Sequence, residues 1–124
     1  MASTADDPTP YTTYIHGLDP DVGSHLMGWR LRAQEQVDGV EEGTSYGMPA
    51  LRYRGRPLAS IVATKAGFSV FPFSSDVVAA VLPDLEGFAS TKGGVKFTQE
   101  HQIPVAVFDR MLSLRKAEID AALR

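Results

Sequence analysis

The chain has 124 residues, 44% of them hydrophobic, a net charge of −3 and no cysteine. That length and composition fit one domain with its own core and exclude global disorder. They also exclude disulfides and thiolate chemistry, and an acidic balance argues against general nucleic-acid binding.

Residues 1–10 (MASTADDPTP) lack a basic start and an apolar run, so they read as a flexible arm rather than a signal peptide. Residues 11–124 read as a single domain, and the cytoplasm is the default location. No apolar run approaches the length of a membrane span. A short segment around Tyr11, Tyr14 and Ile15 comes first. Asp19-Pro20 then marks a helix start, with Asp as N-cap and Pro at the first helical position. Val22, Leu26, Trp29, Ala33 and Val37 recur at helical spacing, and Asp38-Gly39 ends the pattern. Met27 and Leu31 fall on another side. They meet the Tyr11–Ile15 segment or form a partner surface.

The stretch Ser45-Tyr46-Gly47-Met48-Pro49-Ala50 joins this helix to a meander. The predicted strands are Leu51–Arg54, Leu58–Thr64 and Phe68–Phe71, separated by turns at Gly55-Arg56-Pro57 and Lys65-Ala66-Gly67. Short connections make them antiparallel. Ser74 or Ser75 caps a short helix over Asp76–Leu82. Gly93-Gly94 precedes a fourth strand, Val95–Phe97, and Pro104 opens a last helix with Phe108, Met111, Leu112, Ile119 and Ala122 along one stripe. Arg115 interrupts that stripe, which calls for a structural ion pair, with Glu42 as the chosen partner. The expected fold is α+β, a four-stranded antiparallel sheet packed against N- and C-terminal helices.

No sequence motif identifies a nucleophile, a base or a cofactor. There is no G-x-S-x-G elbow, and His16, His25 and His101 show no metal-ligand spacing. Ser90-Thr91-Lys92-Gly93-Gly94 looks like an anion loop, but it precedes a strand and lacks the P-loop order. Asp38, Glu41 and Glu42 cluster after the first long helix, a set of hard oxygen donors suited to iron or a similar cation, or simply a solvated loop. From Gly43 to Ser75 there is no acid, while Arg52, Arg54, Arg56 and Lys65 are positive. Tyr46, Met48 and Tyr53 either pack between sheet and helix or, with Lys65 and Lys92, line a pocket for a small anionic or carbonyl-bearing ligand.

Glu42, the SYGMPA stretch, Tyr53, Gly55, Leu58, Lys65, Phe68 and Phe71-Pro72 follow the pattern of the YdhG-like domain family. Lys92-Gly93, Val95-Lys96-Phe97, Pro104 and Arg115 also fit it. The chain resembles that family over residues 11–122. It departs from the usual pattern at Leu51, Gly94 and Thr98. The resemblance implies a small α+β domain, in a family mostly without assigned activity. One branch is described as a frataxin-like iron chaperone, which makes iron the cargo that the resemblance implies. Three readings follow: a non-catalytic iron-handling domain, a small-ligand binding module, and a homodimer through Met27 and Leu31. None requires a membrane or nucleic acid.

Overall fold

The computed structural model describes residues 10–45, 48–65 and 67–123. Helix α1 (Pro10–His16) is followed by α2 (Pro20–Gln36) and then four strands: β1 (Val40–Ser45), β2 (Met48–Tyr53), β3 (Arg56–Thr64) and β4 (Gly67–Phe71). A short helix α3 (Ser75–Val81), a 3₁₀ turn (Leu82–Asp84), strand β5 (Val95–Phe97) and helix α4 (Val105–Ala122) complete the chain. The sheet is antiparallel in the order β1-β2-β3-β4-β5. It therefore has five strands, not the four expected. The additional strand is β1, whose sequence VEEGTS has little β-forming character. It forms because every one of its residues has a partner on β2, from Val40 opposite Tyr53 to Ser45 opposite Met48.

The long helices sit where their apolar stripes predict. Leu26, Trp29 and Ala33 of α2 are buried, and so are Phe108, Met111, Leu112 and Ile119 of α4. Ala122 is exposed, so the α4 stripe ends at Ile119. Trp29 links the two helices to the sheet, with its ring centroid 4.7 Å from that of Phe108 and 5.7 Å from that of Phe97. Phe68 stacks on Phe97 at 5.3 Å. Burying side chains of this size stabilises the fold by roughly 1.5–3 kcal/mol each before entropy is counted.

Helix α1 does more than cover the core. β2 and β3 are laddered only from Leu51–Ala59 to Tyr53–Arg56, with a register shift at Leu51/Arg52. Beyond that point the strands part, and Pro49 brings no N–H of its own. The backbone groups freed on β3 are met by tyrosines. Tyr11 donates its hydroxyl to the Ile61 carbonyl and accepts from the Ile61 N–H at 3.0 Å. Tyr14 accepts from the Ala63 N–H at 2.8 Å. Ser60 spans the remaining gap by donating to the Pro49 carbonyl at 2.6 Å. Buried backbone groups need partners, and here side chains replace a missing stretch of ladder.

A second polar cluster ties α1, α2 and β1 together. Arg30 pairs with Glu42, which also accepts from the Thr12 N–H at 2.9 Å and the Thr12 hydroxyl at 2.9 Å. Glu42 is thus the partner of Arg30. Arg115 instead donates to the Pro57 carbonyl at 3.0 Å and to Glu118 at 3.2 Å, correcting the expected Arg115–Glu42 pair. That pairing fails because Glu42 lies on the edge strand β1, with β2 between it and β3, the strand on which α4 packs.

Candidate functional site

The site is built from five separated segments. The start of β2 contributes Met48, the start of β3 contributes Pro57, and the end of β4 with its exit contributes Phe71 and Phe73. Lys92 comes from the turn before β5, and Arg115 from α4. Together with Ser74, Ser75 and Gly93 they enclose an open cavity of about 400 Å³. That is within the size range of small-molecule sites.

Local structure explains each placement. Phe73 has φ +57, a conformation uncommon for a bulky residue, and its ring lines the cavity directly before the α3 cap. Ser74 accepts from the Val77 N–H at 3.2 Å as N-cap of α3 and donates to Glu118 at 2.8 Å. Glu118 in turn accepts from Arg115, so the α3 start and the arginine share one carboxylate.

Lys92 sits on a tight turn. The Thr91 N–H donates to the Gly94 carbonyl at 2.9 Å, and Lys96 donates back to the Ala89 carbonyl at 2.8 Å. Thr91 Oγ1 accepts from the N–H groups of Gly93 at 3.3 Å and Gly94 at 3.2 Å. Those two amides are occupied within the turn, so it does not present them to an anion. Lys92 contributes through its side-chain charge.

The predicted site residues separate. Met48 and Lys92 share the cavity. Tyr46 lies outside the described residues. Tyr53 lies elsewhere: its hydroxyl donates to Asp120 at 2.7 Å, beside Arg54 and Lys116. Lys65 borders a different depression of about 260 Å³, next to Val22 and Thr98. Asp38 and Glu41 are exposed, and Glu42 is engaged by Arg30 and Thr12. Among the described residues no group of three or more His, Asp or Glu is arranged to hold a metal ion. Met27 packs beside Ile15 and Leu18, while Leu31 is 47% exposed. His16 and His101 are exposed, His101 stacked on Phe88 at 4.0 Å between ring centroids.

Sequence reasoning missed Phe71, Phe73 and Arg115 as cavity residues. The available signal was Arg115 itself, a cation set into an apolar helical stripe. Its destination depends on where α4 crosses the sheet.

No helix among the described residues is long and apolar enough to cross a membrane. No family profile matches the sequence, and no curated protein matches it. A crystal structure of YdhG from Bacillus subtilis, a protein of the DUF1801 family, superposes with a TM-score of 0.78. The match covers 88% of this chain and 90% of that one, at 13% sequence identity. The five-stranded antiparallel sheet with its flanking helices is thus the YdhG-like fold, in agreement with the resemblance carried by the SYGMPA stretch and the strands after it.

Proposed function

We propose that this chain is a non-catalytic binding domain that takes a small anionic ligand in the cavity between Met48, Phe73, Lys92 and Arg115. The observation that carries the reading is the convergence of two cations on apolar walls from segments far apart in sequence. Such a pairing of an apolar body with a few placed charges suits a small organic anion. Binding is favoured over catalysis because the polar groups here hold one another. The Ser74 hydroxyl caps α3 and donates to Glu118, which Arg115 already engages.

Screening by fluorine NMR tests this directly, using a fragment set with equal numbers of anionic, neutral and cationic members. Anions should dominate the hits, and Lys92→Ala should weaken them by about fivefold to tenfold, the loss of roughly one charge-assisted contact. Lys65→Ala should leave them unchanged. Hits without charge preference, or an equal loss with Lys65→Ala, would sink the proposal.

Iron carriage at Asp38, Glu41 and Glu42 has less support. Arg30 neutralises Glu42, leaving two exposed carboxylates as ligands. Saturable Fe(II) binding by anaerobic calorimetry, lost on Asp38→Asn with Glu41→Gln, would reverse that preference.

A further inference from the structure

Arg115 does not face the cavity as an unattached cation. Its Nε donates to the Pro57 carbonyl at 3.0 Å and its Nη1 to Glu118 at 3.2 Å. Neither bond uses Nη2. The Pro57 bond anchors the guanidinium to β3. The Glu118 bond is a different matter, an i,i+3 pair whose carboxylate is 34% exposed. Pairs of that kind contribute little and exchange partners easily. An anion entering the cavity can therefore take Nη1 and Nη2 together. That end of a guanidinium matches the two oxygens of a carboxylate. Glu118 is not stranded by the exchange, since Ser74 still donates to its other oxygen at 2.8 Å.

Charge and shape narrow the ligand further. Lys92 and Arg115 add two positive charges and Glu118 removes one, leaving a single charge to neutralise. A dianion would also meet the repulsion of Glu118. Met48, Phe71 and Phe73 supply apolar wall, and Phe73 is set there in a left-handed backbone conformation that its side chain does not favour.

We infer that the cavity takes a monocarboxylate with an aromatic or short branched apolar body, and that Glu118 is a built-in competitor for Arg115 which the ligand displaces. This rests on the cavity being the binding site. The test is titration of the ¹⁵N-labelled full chain with phenylacetate, the neutral phenylacetamide and inorganic phosphate, for the wild type and Glu118→Gln. Phenylacetate should saturate with shifts at the amides of Phe71, Phe73 and Gly93. The amide and phosphate should bind at least about tenfold more weakly. Glu118→Gln still accepts from Ser74 but no longer holds Arg115 by charge, so phenylacetate should bind roughly threefold to tenfold tighter. Should that variant unfold, Glu118→Ala carries the same expectation. Equal or weaker binding by a folded Glu118 variant removes the competitor role and leaves the site standing. Phosphate binding tighter than phenylacetate at these amides overturns the ligand class alone. No response to any of the three probes overturns the site itself.

Discussion

Gly94 shows how a single hydrogen atom positions a candidate site residue. A Cβ built there would lie 2.6 Å from Phe71 Cδ1 and 2.7 Å from the Val70 carbonyl oxygen. The backbone carbonyl cannot move away without disturbing β4. Gly94→Ala should therefore destabilise by about 1–3 kcal/mol, the usual range for overpacking, and displace the Lys92 turn. Gly93 meets nothing within 4 Å, so Gly93→Ala should be much milder. Urea denaturation of both variants makes the comparison. Asp120 is a second residue whose role is local and testable. It accepts from Lys116 at 2.9 Å, from Tyr53 at 2.7 Å and from Arg54 at 3.0 Å. These partners, Lys116 first, pull its pKa from 3.8 down to about 2. A carboxyl depressed in the folded state stabilises the fold above its unfolded pKa and loses that contribution as pH falls through the folded one. The melting-temperature difference between wild type and Asp120→Asn should hold steady from neutral pH to about 5, shrink as pH falls further and vanish only below about 2. A difference independent of pH over that window would show that the carboxylate charge is irrelevant.

Elements here are defined as much by what they replace as by what they bury. Helix α1 has only seven residues, too few to be stable alone. It persists because Tyr11 and Tyr14 complete the hydrogen bonding of β3 where β2 has turned away. Burial holds the Tyr11 phenol well above its ordinary pKa, and the bond to Ile61 offsets only part of that shift. The hydroxyl therefore stays protonated as a donor. Tyr11→Phe leaves the Ile61 N–H and carbonyl without this partner and should cost about 1–3 kcal/mol, read from chemical denaturation. A loss below about half a kcal/mol would mean that water enters the gap and takes over. The turn between β2 and β3 follows the same logic. Arg54 and Gly55 both have positive φ, 52 and 78 degrees, as a two-residue turn matched to strand twist requires. Arg54 is an unusual choice there, and its ion pair with Asp120 at 3.0 Å ties the turn to the end of α4.

Across the whole molecule, β3 is the central strand, and both α2 and α4 pack on it. β1 is an edge, joined to the rest through β2 and through the Arg30–Glu42–Thr12 cluster. Native-state hydrogen exchange should rank them accordingly. The amides of Ile61 and Ala63 should exchange only with global unfolding, although their partners are side chains rather than strand backbone. Those of β1 should open at lower free energy. Exchange of Ile61 as fast as that of β1 would show that the tyrosine contacts are transient.

Much of this architecture was legible in the residues. Trp29, Ala33, Phe108 and Met111 announced their buried faces by spacing, Pro20 and Ser74 marked helix starts, and the SYGMPA stretch pointed to the fold that the YdhG comparison bears out. Those features are local: helical periodicity and capping depend on neighbours a few positions away. β1 was not legible, because its acids and glycine carry no strand signal and only its pairing with β2 makes it a strand. The candidate site was half legible. Met48 and Lys92 stood out by type, but Tyr53 and Lys65 face other surroundings, and Arg115 points to Pro57 rather than Glu42. Convergence of segments spread from Met48 to Arg115 depends on how α4 crosses the sheet and where β2 and β3 part. Sequence alone determined the long helices, the strands other than β1, and the fold family they resemble. Only tertiary structure decided which charges share a cavity, because packing of distant elements, not local chemistry, sets those neighbours.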